Sequence, residues 1–121
     1  MERVFSEHEA NELLPQLTDL LTRLQEGLHQ AVAASGAPRQ SASSNGSAAA
    51  ALAASDSERE VGGVLAEIEA LGVIVRDAET GLVDFAANRG DQAIYLCWRL
   101  GEERIGYWHP RDTGFMGRQP L

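Results

Sequence analysis

The chain contains no lysine, so its ten cationic side chains are all arginine, set against 18 carboxylates. A net charge of −8 and a pI near 4.7 leave no field of clustered cations to displace counterions from a phosphate backbone, which argues against nucleic acid and anionic membranes as partners. The one cysteine, Cys97, has no partner for an intramolecular disulfide and supplies no CxxC metal knuckle; that usage fits a reducing compartment. No apolar run approaches about 18 residues and no basic region precedes one, so neither a membrane span nor a signal peptide is expected. The chain reads as cytoplasmic. Large apolar side chains are scarce as well, because alanine supplies 18 of the residues behind the 44% hydrophobic fraction. A modest core in a chain of 121 residues points to one domain stabilised by self-association, as a homo-oligomer in which a dimer is favoured.

Helical periodicity begins at Ser6, where Ser6-Glu7-His8-Glu9 has the spacing of a capping box and Phe5 stands outside it as a hydrophobic anchor. Apolar residues at Ala10, Leu13, Leu14, Leu17, Leu20, Leu21, Leu24 and Leu28 predict an amphipathic first helix over 7–33. Pro15 should kink it. Residues 34–47 read as an Ala/Ser-rich linker and 48–71 as a second helix, closed by Gly72 as its C-cap. Gly62 and Gly63 within it mark either a weak joint or, the favoured reading, a close approach between helices. After Gly72 the period changes to two, with turns at 77–81, 88–91 and 101–103, which predicts a four-stranded antiparallel meander over 73–109. The expected class is α+β: a long kinked N-terminal helix and a second helix form a hairpin packed on that meander, and 110–121 form a C-terminal tail. Two glycines, Phe115, Met116 and a terminal Pro-Leu make the tail too apolar for a frayed end. It should dock on its own helices or on a neighbouring subunit.

Glu9-Ala10-Asn11 with Leu14-Pro15, Leu71-Gly72-Val73, Gly81-Leu82-Val83-Asp84-Phe85, Tyr95-Leu96-Cys97-Trp98-Arg99 and Tyr107-Trp108-His109, followed by Gly114 to Leu121, together resemble an uncharacterised bacterial family, domain of unknown function 2203. The resemblance covers both helices and the C-terminal half; only the Ala/Ser stretch departs, as a variable insertion would. It implies a fold and a cytoplasmic bacterial setting, and no activity.

Chemistry therefore has to be argued from the residues, and no catalytic or cofactor motif is present. His109 and Asp112 lie three residues apart at a strand exit, a spacing that can give two ligands to a divalent metal such as zinc. Further ligands would come from His8 and Glu12, one helical turn apart. A Cys97, His109 and Asp112 nucleophile arrangement is a second use of the same neighbourhood, while a small buried core residue is the plainer reading of Cys97. Arg99, Arg111 and Arg118 sit beside Trp98, Tyr107, Trp108 and Phe115, a composition suited to stacking and to bidentate capture of a carboxylate or phosphate. Their plainer use is in ion pairs with Asp84, Glu102, Glu103 and Asp112. The leading expectation is a non-enzymatic, oligomeric binding protein with a small-anion site formed by Arg99, Tyr107, Trp108, Arg111 and Arg118. The alternative is a metal-binding protein, as in a metal-dependent hydrolase, built on His109 and Asp112.

Overall fold

The expected capping box closes at the start of the first helix: Ser6 Oγ accepts from Glu9 N–H at 3.0 Å, and Glu9 Oε1 accepts from Ser6 N–H at 2.9 Å. Hydrogen bonding from Ser6, its backbone N–H first and its side chain second, holds the Glu9 carboxyl below its usual range. In the computed structural model, which describes residues 3–35 and 44–121, helix α1 runs over Glu7–Ser35 and α2 over Ser44–Ala70. Pro15 lies inside α1 without ending it. Most of the expected linker, 36–43, lies outside the described residues, while 44–47 belong to α2. Serine and asparagine favour helix starts as well as loops, so composition alone sets that boundary too late.

Strands β1 (Val73–Asp77), β2 (Leu82–Arg89), β3 (Gln92–Arg99), β4 (Tyr107–Pro110) and β5 (Gln119–Pro120) form one antiparallel sheet in the order β1-β2-β3-β4-β5. The α+β class holds, but the sheet has five strands instead of the four expected. The fifth comes from the tail, which folds back so that Gln119 pairs with Trp108 and Leu121 N–H donates to Gly106 O at 2.9 Å. Two residues carry no alternating pattern, and Pro120 is tolerated because the strand is an edge. β4 is also shorter than the expected run from Arg104. Ile105 leaves the ladder and donates its N–H to Asn11 Oδ1 on α1 at 2.8 Å, with its side chain buried.

Alternation along the strands sends Val83, Phe85 and Ala87, Ile94, Leu96 and Trp98, and Trp108 to one face, where they meet the α1 stripe of Leu14, Leu17, Leu20, Leu21 and Leu24 and Val64 and Ile68 of α2. Phe5 closes this core from the N-terminus, edge-on to Phe85 at 5.1 Å, with its N–H donating to Ala86 O at 2.7 Å. The close approach between helices falls at Gly27, where an added Cβ would lie 2.9 Å from Val61 Cγ2. Gly62 and Gly63, expected to mark it, are exposed and have nothing within 4 Å of such a Cβ. At the end of α2, Gly72 adopts φ +87 and turns the chain into β1, as its C-cap position requires.

Candidate functional site

Val83 through Ala87 are all buried, although a strand with one solvated face alternates. The sheet face turned away from the helices is therefore covered too. Its cover is the segment after β4: a turn at Pro110–Thr113, a 3-10 turn at Phe115–Gly117, and the Arg118 side chain. Arg118 lies over the Tyr107 ring at 4.1 Å, donates to Cys97 O at 3.4 Å, and forms a tight charge-assisted bond to Glu102 Oε1. It pins the tail to the sheet.

Beneath this cover is a cavity of about 290 Å³ lined by Arg76, Leu82, Asp84, Cys97, His109, Arg111, Thr113, Gly114 and Phe115. Asp84 on β2 lies directly across from Cys97 on β3, and His109 comes from β4 on the far side of β3. All three side chains are buried. Asp84 Oδ2 accepts from Arg76 Nε at 2.8 Å and contacts His109 Nε2 at 3.0 Å. His109 Nδ1 faces Pro110 O at 2.8 Å. Both ring nitrogens thus face oxygen atoms, one of the backbone and one of Asp84. Arg76 reaches Asp84 because the β1–β2 register shifts between Val75 and Asp77, making it the extra residue of a bulge.

One oxygen of the cluster is unsatisfied. Asp84 Oδ1 is buried with no hydrogen-bond partner, which is costly for a carboxylate oxygen unless something else compensates it. The Cys97 thiol is pushed up to about 11, first by burial and then by the Asp84 charge, with Arg118 opposing. It is the protonated thiol at neutral pH, the opposite of an activated nucleophile.

The expected residues are distributed unevenly around this geometry. Arg111 lines the cavity and lies over the Tyr95 ring at 4.6 Å. Arg99 lies one step away, over Phe115 at 5.7 Å, in an adjoining hollow with Asp77, Thr80 and Leu82. Tyr107 lies under Arg118, and Trp108 points into the helical core with Arg89 over its ring at 4.5 Å. His109 is at the centre, but its carboxylate is Asp84; Asp112 is exposed in the turn. His8 and Glu12 pair with each other at 2.6 Å on the solvent side of α1, which packs on the other face of the sheet. The sheet stands between them and His109, so the structure does not assemble His8, Glu12, His109 and Asp112. Among the described residues the group able to converge on an ion is Asp84, Cys97 and His109.

Arg76 and Asp84 were not singled out by spacing, since they meet His109 only across strands. A signal did exist. On the face opposite Val83 and Phe85 the alternate residues are Leu82, Asp84 and Ala86, then Ala93, Tyr95 and Cys97, then Tyr107 and His109, with Asn88 and Arg99 at the strand ends. That composition is too apolar for a solvated face, and a carboxylate within it has to be paired.

The family model described as Uncharacterized conserved protein (DUF2203) matches residues 3–121. No curated protein and no solved structure matches the chain.

Proposed function

We propose that this chain, which belongs to the Uncharacterized conserved protein (DUF2203) family, is a non-enzymatic binding protein that takes a small anion into the outer-face cavity. The observation that carries this reading is the pair of guanidinium groups, Arg76 and Arg111, which both line the cavity and lie over the Tyr95 ring at 5.0 and 4.6 Å. Stacking holds each guanidinium plane in place while its edge offers donors to a carboxylate or phosphate. With Asp84 as the one carboxylate in the lining against two guanidinium groups, the cavity is net positive inside a chain of charge −8. A volume of about 290 Å³ lies at the small end of ligand pockets, which suits a compact metabolite.

Thermal unfolding and calorimetry with inorganic phosphate, sulfate and short dicarboxylates test the reading. A ligand at about 100 times its Kd adds about 2.7 kcal/mol of stability, and Arg111→Ala should abolish that ligand-induced shift, read against the variant's own unliganded melting temperature. An unresponsive wild-type protein across the panel at millimolar anion would sink the idea. Self-association belongs to the same reading, supported by the small number of large apolar side chains; native mass spectrometry giving only the 13.0 kDa monomer would remove it.

A further inference from the structure

We propose that Asp84, Cys97 and His109 form a binding site for a single divalent transition-metal ion, with zinc the best match, on the floor of the outer-face cavity. One ligand atom from each residue, a carboxylate oxygen, the sulfur and a ring nitrogen, lies within 4.8 Å of the other two. Tetrahedral zinc with bonds of about 2.0–2.3 Å sets its ligands about 3.3–3.8 Å apart. A modest contraction of three side chains on adjacent strands closes that gap. A mixed oxygen, nitrogen and sulfur set selects zinc over magnesium and calcium, which prefer oxygen alone.

Two further observations point to a ligand here. Asp84 Oδ1 has no hydrogen-bond partner although it is buried, and a metal ion is the partner that a bare carboxylate oxygen accepts most strongly. His109 Nδ1 is held by Pro110 O at 2.8 Å, the backbone contact that characteristically orients a metal-bound imidazole, and Nε2 is turned towards the Asp84 carboxylate, where an ion would replace their 3.0 Å contact. Arg76 Nε, on Asp84 Oδ2 at 2.8 Å, then orients the carboxylate from outside the coordination sphere.

A carboxylate and a thiolate together offset the two charges of a divalent ion, so this ligand set suits a dication in a low-dielectric interior. Three protein ligands would leave a fourth position for a group from the same cavity, whose lining also includes Arg111 and Phe115. That is the layout of a site that exchanges its fourth ligand.

The proposal stands independently of anion binding, so it is tested in anion-free buffer on the full chain stripped with a chelator. Zinc competition against a chromophoric chelator should give one equivalent per chain. Cobalt should give tetrahedral absorption with a sulfur-to-cobalt charge-transfer band in the near ultraviolet. Cys97→Ser should remove that band and most of the zinc affinity, and Arg76→Gln should weaken zinc about 10–100-fold while keeping the band. Circular dichroism and melting of each metal-free variant check folding, and Cys97→Ala repeats the test where serine unfolds the chain. Equal zinc binding by wild type and both Cys97 variants, or octahedral cobalt without the sulfur band, would overturn the site. Phosphate binding by the metal-free wild type, lost in Arg111→Ala, reads the anion proposal separately.

Discussion

Phe85 and Asp84 are neighbours on β2, both buried, and they face opposite sides of the sheet. Phe85 meets the helices in a core of apolar side chains, where burial is stabilising, non-directional and tolerant of repacking. Asp84 meets an imidazole, a guanidinium and a thiol under a cover made by the C-terminal segment. There burial costs free energy, and only directional partners recover it. One face holds the fold together, and the other keeps polar groups in an arrangement that burial alone would disfavour. Such arrangements persist where function selects them.

Substitutions at the two neighbours should separate these roles. The largest effect is expected from Phe85→Ala, about 3–5 kcal/mol in urea unfolding, from lost transfer energy and a cavity; a loss under about 1 kcal/mol would mean that the helices do not depend on this face. Asp84→Ala should cost about 3 kcal/mol because it leaves His109 buried without its carboxylate. A double-mutant cycle with His109→Leu should recover about 0.5–3 kcal/mol as coupling. Strict additivity would show that the pair contributes nothing as a pair.

Smaller effects sharpen the contrast. Gly62→Ala should stabilise by about 0.5–1 kcal/mol, since an exposed helical position with nothing within 4 Å gains propensity without a clash. Gly27→Ala should destabilise, because its Cβ would press on Val61 at 2.9 Å. If both substitutions shifted the melting temperature in one direction, the helix interface would lie elsewhere.

A further effect is in pH. The Cys97 thiol ionises near 9.0 when exposed and at about 11 in the fold, so as pH rises through that window the unfolded chain gives up its proton first. Stability therefore falls with rising pH between these values. Cys97→Ala should flatten that slope, and native alkylation at neutral pH should be slow. Rapid neutral-pH modification of the folded chain would contradict the burial of the thiol.

Much of the helical face was legible in advance. The capping box at Ser6 and Glu9, the leucine stripe of α1, the Gly72 cap and the change of period at Val73 are local signals, each written within about four residues. The errors arise where a second signal was weaker or distant. The two glycines of α2 looked like a contact because glycine permits one, yet which side of a helix meets its neighbour is set by Leu17, Leu21 and Leu24 against Val64 and Ile68. β5 was read as a tail because two residues have no period to detect.

The site was half legible. His109 and Arg111 stood out at a strand exit, but the nearest carboxylate in sequence, Asp112, is not the one that meets His109. That partner is Asp84, 25 positions away, brought in by strand register and by the bulge that places Arg76 beside it. Periodicity, caps and turn chemistry act through the neighbouring backbone and determined the α+β class, the amphipathic helix and the meander from the residues alone. Which carboxylate, thiol and imidazole share a cavity depended on the register of three strands and on the fold-back of the tail. Those are long-range pairings, and local sequence carries no energy that distinguishes them until the chain has closed on itself.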